Sequence, residues 1–198
     1  MAIAFAREGA DILISYLCEH KDANETKRWI EEAGRGAMLV PGDIQDSAHC
    51  RRLVDQAVTE LGGLDILVNN AAHQATFKSL DEISDEEWEA TFRTNIHVMF
   101  WLARAAVPHM RKGSSIINTA SINADVPNPT LLPYATTKGA IHNFTGGLAQ
   151  ILRVSHPGLG VGAPNLSGGS SSRLAARPAK QQEARRTDRS TLRKCSSW

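Results

Sequence analysis

The sequence predicts an α/β protein built on a doubly wound parallel sheet, and two observations carry this prediction. Segments with helical periodicity alternate with short apolar segments along most of the chain. The apolar segments are continuous rather than alternating, which is typical of strands that are buried on both faces of a sheet. The longest apolar stretch, residues 98–107, contains Arg104 and is too short to span a bilayer. A soluble cytoplasmic protein is therefore expected.

Caps and glycines delimit each predicted element. Gly9 and Gly34 stand where helices commonly end, either Asp46 or Ser47 can cap a helix, and Ser84-x-x-Glu87 forms a capping box. The predicted helices cover residues 2–8, 21–33, 47–61, 84–110 and 134–154. The predicted strands cover residues 12–14, 37–40, 64–68 and 115–120.

Charge and composition divide the chain into two parts. Residues 1–152 carry 13 basic and 19 acidic side chains (13 − 19 = −6), and residues 153–198 carry 9 and 2 (9 − 2 = +7). The overall charge of +1 argues against a protein that binds nucleic acid through bulk charge. We expect a folded domain over residues 1–153 and, over residues 154–198, a Gly/Ser-rich and then basic tail that is disordered.

The cysteines favour a reducing compartment. The three of them, Cys18, Cys50 and Cys195, are far apart and have no metal-ligand spacing. No metal site is expected from the sequence.

Two residues on one predicted helix point to acid–base chemistry. Tyr134 and Lys138 are four residues apart, so they share a helix face, and that face also carries Ile141. A lysine turned toward a core is costly unless it has a partner or a task. An adjacent ammonium makes a phenol easier to ionise, as a proton donor and acceptor near pH 7 requires. A lysine that extends to solvent from the helix start is the alternative interpretation.

Ser121 and Asn95 are further candidates. Ser121 follows the fourth apolar segment directly, at the sheet edge where open α/β sheets bind ligands, although a serine there can equally be a helix cap. Asn95 lies within the apolar stripe of the long helix, where its amide needs hydrogen-bond partners. A catalytic water, a kinked backbone or a neighbouring loop could each supply them.

Taken together, these residues resemble the short-chain dehydrogenase/reductase family. The motifs are Asp43 after the second strand, Asn69-Asn70-Ala71-Ala72 after the third, Thr94-Asn95-Ile96, Ser121, and Tyr134-Ala-Thr-Thr-Lys138. The resemblance covers residues 1 to about 152 and implies a Rossmann-like fold. It also implies an NAD(P)-dependent oxidoreductase that interconverts alcohols and carbonyls by hydride transfer.

The resemblance assigns roles to four catalytic residues. Tyr134 would give or take the proton of the alcohol or carbonyl group. Lys138 would lower the pKa of that phenol and hold the nicotinamide ribose. Ser121 would hydrogen-bond the oxygen of a small-molecule substrate, and Asn95 would support a proton-relay water.

Six residues would contact the cofactor. Asp43 and Ile44 would lie against the adenine, and Asn69 and Ala71 against the adenosine ribose, with Tyr134 and Lys138 at the nicotinamide end. The segment Ser15-Tyr16-Leu17 lacks the acidic residue that favours NAD, and this absence slightly favours NADP as the cofactor. The family's two long helices, residues 84–110 and 134–153 here, often pair subunits, so intact relatives are expected to be homo-oligomers.

The sequence departs from the family at both ends. It starts inside the helix that should follow the first strand and its Gly-rich turn, and after about residue 153 it reads like a frameshifted or fused segment. In the family's strand order, 3-2-1-4-5-6-7, the first strand lies between the predicted strands at 12–14 and 64–68. We therefore expect an incomplete sheet that lacks the first and last strands and has unpaired inner edges. A non-catalytic fragment that acts as an oligomerisation or interaction subunit is the alternative function.

Overall fold

Helices and parallel strands alternate along the chain, as predicted for a doubly wound fold. A computed structural model describes residues 1–164. The helices are α1 (Ala2–Arg7), α2 (His20–Glu32), α3 (Ser47–Glu60), α4 (Asp85–Phe92), α5 (Val98–Ala106) and α6 (Leu132–Ser155). The strands are β1 (Ile12–Tyr16), β2 (Ala37–Pro41), β3 (Ile66–Asn69), β4 (Ser115–Asn118) and β5 (Gly160–Gly162).

The strands form two separate parallel sheets. β1 pairs with β2, with Ile12 opposite Ala37, and β4 lies between β3 and β5. Within residues 1–164 no strand lies between β1 and β3, and both strands line one open cleft. The gap expected at the centre of the sheet is therefore present and has not closed.

The described structure continues beyond residue 153, where the predicted tail begins. α6 continues to Ser155, and β5 pairs with β4 inside the segment that the sequence analysis assigned to a disordered tail. Main-chain bonds hold this strand, since Gly160 N donates to Ser114 O at 2.9 Å, and Leu159 adds a buried side chain to the core. Pairing through the backbone needs no apolar periodicity, so the pattern gave no signal for it. The tail beyond residue 164 lies outside the described residues.

The main core lies between the larger sheet and the long helices. It combines Val54 of α3, Leu67 of β3, Ala106 of α5, Ile116 of β4 and Leu152 of α6. None of the helices within residues 1–164 combines the length and the apolar character needed to cross a bilayer.

Trp29 on α2 is a large apolar side chain that lies partly outside the core. Trp29 is 42% exposed, whereas Ile30 beside it is fully buried. The guanidinium of Arg28 lies 5.3 Å from the centre of the indole ring, so a cation covers the ring in place of core side chains.

The long helix predicted over residues 84–110 is interrupted near its middle. Ser84 caps its start by accepting a hydrogen bond from Glu87 N, as the capping box predicts. A π-helical turn over Arg93–His97 then separates α4 from α5. π-helical turns are uncommon in proteins, and those that occur are often found at functional sites. This one contains Asn95.

The backbone of Gly42, at the end of β2, lies very close to the side chain of His49. Gly42 directly precedes Asp43 and Ile44, two of the predicted cofactor residues. Its φ is +155°, and a Cβ atom built there would overlap the imidazole ring of His49. His49 is buried, so its ring has little room to move away.

We predict that Gly42→Ala lowers the free energy of unfolding in urea by about 1–3 kcal/mol, because the added methyl group forces the His49 ring to shift. The same change made in a His49→Ala background should cost less, since the overlapping ring is gone. Gly146→Ala, in a helix with open space around it, is the matched control and should be neutral or stabilising. Equal costs of Gly42→Ala in the two backgrounds would show that the overlap has no effect.

Candidate functional site

A buried polar ladder joins the larger sheet to α6. The side-chain Nδ2 of Asn69, at the end of β3, donates to Asn118 Oδ1 of β4 at 2.8 Å. Asn118 Nδ2 in turn donates to Thr145 Oγ1 on α6 at 3.0 Å. All three side chains are buried, so the ladder fixes α6 against the carboxyl ends of the strands.

The ammonium group of Lys138 lies inside the protein at this edge. The residue is 1% exposed, and its Nζ donates to the main-chain oxygen of Thr119 at 2.9 Å. The same Nζ lies 5.2 Å from the centre of the Tyr134 ring. Because burial disfavours the charged form, it lowers the pKa of Lys138 from 10.5 to about 8. The predicted tyrosine–lysine pair therefore faces inward, and the alternative of a solvent-exposed lysine is excluded.

Thr119, which the sequence analysis did not single out, connects this lysine to β3. Thr119 N donates to Asn69 O at 2.9 Å, and its hydroxyl donates to Asn70 Oδ1 at 3.0 Å. The residue carries three hydrogen bonds at one point of the sheet edge. A threonine between an apolar strand and Ser121 gives no distinctive signal in a single sequence.

Ser121 is buried and caps the short 3₁₀ turn at residues 122–124. Its Oγ accepts hydrogen bonds from Asn123 N at 3.2 Å and from Asn123 Nδ2 at 3.4 Å. The capping role that the sequence left open is thus present. Because the hydroxyl only accepts in these two bonds, its own hydrogen stays available for a further acceptor.

Asn95 is fully buried, and its side chain is held by a neighbouring loop and by α6. Its Oδ1 accepts from His73 N at 2.7 Å, and its Nδ2 donates to His73 O at 3.0 Å and to Thr137 Oγ1 at 2.9 Å. Thr137 Oγ1 also donates to the main-chain oxygen of Tyr134. Asn95 therefore joins the loop after β3 to the first turn of α6.

His73 is a second residue that sequence reasoning missed. Its ring Nε2 lies 2.6 Å from Glu87 Oε1 on α4, and Thr91 Oγ1 lies 3.3 Å from the same oxygen. The ring and the main chain of His73 are both held, which fixes the loop after β3. Its position directly after the Asn-Asn-Ala-Ala motif was the available signal.

Of the residues predicted to contact adenine, Ile44 is buried and Asp43 is exposed. Ile44 packs in a cluster with Cys50, Leu53 and Val98, and Ala71 packs against that cluster. Asp43 Oδ1 accepts a hydrogen bond from Gln45 N at 2.8 Å, which orders the turn at the end of β2.

A cleft of about 1090 Å³ opens between the two sheets. Four predicted site residues border it: Ile44, Asn69, Ala71 and Tyr134. Lys138 lies next to it, beside the Tyr134 ring. Asp43, Asn95 and Ser121 are not among the residues that line it. Among the described residues, no group of three or more His, Cys, Asp or Glu side chains is arranged to hold a metal ion.

Comparison with known proteins identifies relatives over most of the described chain. Residues 1–156 match the short chain dehydrogenase family. The uncharacterized oxidoreductase YhdF of Bacillus subtilis is 51% identical over 151 residues, which are 76% of this chain and 52% of that protein. The chloroplastic NADPH-dependent aldehyde reductase 1 of Arabidopsis thaliana is 42% identical over 163 residues, 79% of this chain and 56% of that protein. The chain thus spans about half the length of the curated relatives it matches.

Solved structures agree with this match. A short chain dehydrogenase from Burkholderia cenocepacia in complex with NADP is 34% identical, with a TM-score of 0.78 over 83% of this chain and 67% of that one. A blue fluorescent protein from a metagenomic library in complex with NADPH is 31% identical, with a TM-score of 0.76 over 83% of this chain and 67% of that one. The Rossmann-like α/β fold predicted from the sequence is confirmed, and the chain belongs to the short-chain dehydrogenase/reductase family.

Proposed function

We propose that this chain carries the proton-transfer site of an NAD(P)-dependent oxidoreductase that interconverts an alcohol and a carbonyl. The observation that carries the proposal is the fully buried Lys138 ammonium beside the Tyr134 ring, at the border of the cleft. A desolvated cation has a stronger influence on a nearby phenol than an exposed one, because the local dielectric is lower. The naming of many relatives as oxidoreductases supports the proposal.

In this proposal Tyr134 exchanges a proton with the substrate oxygen. The Lys138 ammonium lies 5.2 Å from the centre of the Tyr134 ring, so a positive charge stands beside the hydroxyl that exchanges this proton. The lowered pKa of about 8 leaves most of the Lys138 population charged at pH 7. Both residues lie on α6, so their separation is set by one rigid element.

Ser121 and Asn95 are assigned supporting roles. The free hydroxyl hydrogen of Ser121 can be donated to the substrate oxygen while Asn123 keeps the side chain in place. Both Nδ2 hydrogens of Asn95 are used by His73 and Thr137. Support of a proton-relay water therefore falls to the main-chain carbonyl of Asn95 or to the second lone pair of its Oδ1.

The residues at the cleft fit the two ends of a dinucleotide. Lys138 Nζ has three hydrogens, and Thr119 O accepts one, so two remain for ribose hydroxyls. The apolar surface of Ile44 and Ala71 suits an adenine ring. When bound, the cofactor would supply or accept the hydride, and the protein residues orient it and manage the proton.

The pyrophosphate between those ends would meet no cationic side chain at the carboxyl end of the cleft. At the carboxyl ends of the strands, the described residues that line the cleft include Glu19 and no lysine or arginine. Arg35 lines the opposite end, where its guanidinium is paired with Asp11 at 2.7 Å. The preference for NADP rests on the absence of an acid in Ser15-Tyr16-Leu17, and the names of three relatives agree with it.

We predict that Lys138→Met stabilises the protein at pH 7 by about 1–3 kcal/mol, since it removes a buried charge at the cost of one hydrogen bond. The pKa of Lys138 is about 8 in the folded chain and 10.5 unfolded, so between these values the unfolded chain binds more protons. Wild-type stability then rises with pH through this window, and the advantage of Lys138→Met shrinks.

Urea unfolding of both proteins at pH values from 7 to 10.5 measures this effect. Lys78→Met, at an exposed residue, is the control and should show no comparable change of its stability difference with pH. A Lys138→Met advantage that stays constant across the window would contradict the buried ammonium.

We predict that Tyr134→Phe reduces turnover by more than the ~10²–10⁴ typical of one acid–base group while cofactor affinity stays nearly unchanged. The variant is made in a chimera in which the matched segment of this chain replaces that of YhdF. Hydride transfer is followed by the absorbance of NAD(P)H. Thr59→Val, which also removes a hydroxyl group but from an exposed position of α3 that does not line the cleft, is the control and should retain activity. Turnover in the Tyr134→Phe chimera equal to that of the parent would refute the assignment.

We predict that the 198-residue chain binds NADPH and NADH at least ~100-fold more weakly than YhdF does. Two or three charge-assisted hydrogen bonds to the pyrophosphate, each worth about 1.5–3 kcal/mol, have no counterpart among the residues that line the carboxyl end of the cleft. Isothermal titration of both proteins with each dinucleotide tests this. Micromolar affinity of this chain would show that another segment contacts the phosphates.

A further inference from the structure

Arg93 connects two parts of the proposed site, although it does not itself line the cleft. It is the first residue of the π-helical turn between α4 and α5, two residues before Asn95. Its side-chain Nε donates a hydrogen bond of 2.9 Å to the main-chain oxygen of Gln45, which lies 48 residues earlier in the sequence. Gln45 belongs to the turn after β2, directly after Asp43 and Ile44. The side chain therefore joins the segment of a predicted catalytic residue to the segment predicted to contact adenine.

The ring of Trp101, on α5, restricts the movement of this arginine. The guanidinium carbon of Arg93 lies 5.2 Å from the centre of the ring, and the ring of His97 lies beside the same indole with centroids 5.7 Å apart. Trp101 in turn packs against the cluster that contains Ile44. Because the cation–π contact already orders the long side chain, less conformational entropy is lost when Nε donates to Gln45.

The turn after β2 is otherwise held by bonds within itself and to α3. Asp43 Oδ1 accepts from Gln45 N at 2.8 Å, and Cys50 Sγ on α3 donates to Ile44 O at 3.1 Å. These two bonds fix the shape of the turn and its position relative to α3. They do not fix its distance from the π-helical turn, which belongs to another element. The bond from Arg93 Nε to Gln45 O sets that distance directly.

We propose that Arg93 is a positioning residue for the cofactor, whose Nε–H holds the adenine-binding turn at a fixed distance from the π-helical turn that carries Asn95. The inference rests on the oxidoreductase site proposed above, since it takes Asp43 and Ile44 as the surface that contacts adenine. Arg93 acts through the main chain of Gln45 and does not need to touch the cofactor. Its loss should therefore weaken binding of the adenosine end and leave binding of the nicotinamide end unchanged.

Two nucleotides, one for each end of the dinucleotide, test this inference on the full 198-residue chain. Saturation-transfer NMR measures the Kd of 5′-AMP and the Kd of reduced nicotinamide mononucleotide, and each of these probes has one phosphate group. In Arg93→Met the Kd of 5′-AMP should rise at least ~3-fold, because the donor to the turn is lost. The Kd of reduced nicotinamide mononucleotide should not change. A general structural defect would weaken the binding of both nucleotides.

A glutamine at the same position separates the hydrogen bond from the charge. Nε2 of glutamine is bonded to Cδ, as is Nε of arginine, so Arg93→Gln keeps an N–H donor near Gln45 O and removes the cation. Its affinity for 5′-AMP should stay near that of the unmodified chain. Arg28→Met is the matched control, because Arg28 also lies over a tryptophan ring, at 5.3 Å, but on α2. It should leave both affinities unchanged.

The possible outcomes separate this inference from the proposed function. An unchanged Kd of 5′-AMP in Arg93→Met, equal losses for the two nucleotides, or equal losses in Arg93→Met and Arg93→Gln would overturn the positioning role alone. A lack of saturable 5′-AMP binding to the unmodified chain would contradict the adenine-binding turn, and the inference with it.

Arg93 is exposed, so its replacement leaves the core intact. If circular dichroism nevertheless shows that Arg93→Met does not fold, Arg93→Lys takes its place, because it keeps a cation near Trp101 and has a methylene group where Nε stood. The same rise of at least ~3-fold in the Kd of 5′-AMP is expected for Arg93→Lys, and an unchanged Kd would refute the positioning role.

Discussion

The hydrogen bond from Lys138 Nζ to Thr119 O is the interaction on which the site geometry depends. It places a cation in the interior beside the Tyr134 ring, and the burial of this charge costs folding free energy. Thr119 can hold it because its main chain is already fixed to Asn69 across the strand ends. The ladder from Asn69 through Asn118 to Thr145 then keeps α6 in register with the sheet. The loss of one of these hydrogen bonds would shift Tyr134 and Lys138 together, because both lie on α6.

Each of the two sheets positions a different set of residues in the proposed site. Tyr134, Lys138 and Ser121 depend on β3, β4 and α6, which share one polar network and one core. Asp43 belongs to the turn after β2, in the smaller sheet. The two sheets contact each other through the side-chain cluster around Ile44 and Val98, since no strand within residues 1–164 connects them. The adenine end is therefore tied to the nicotinamide end by side-chain packing, which tolerates small shifts more readily than a hydrogen-bonded ladder does.

Structural features that follow from a short sequence motif or a regular residue spacing could be predicted from the sequence. Features that depend on backbone pairing or on contacts between distant segments could not. The capping box at Ser84 and the four-residue spacing of Tyr134 and Lys138 are local, and both predicted the observed structure. β5 carries two glycines and pairs through its backbone, so no periodicity marked it. The partners of Asn95 come from His73 and Thr137, which only the folded chain brings near. The roles of the eight candidate residues stay predictions, because contacts with a substrate or a cofactor are needed to establish them.

The central cleft has an energetic consequence that follows from its walls alone. Four residues, two on each strand, direct main-chain groups into it, and water can satisfy those groups while the cleft is open. Asn69 Oδ1 is different, because it is buried and has no partner among residues 1–164. Any group that displaces this water must therefore replace the hydrogen bonds that the water makes, and a donor that reaches Asn69 Oδ1 would also satisfy a buried acceptor. Apolar side chains alone do not meet that requirement, because they would leave the main-chain groups and Asn69 Oδ1 without hydrogen-bond partners.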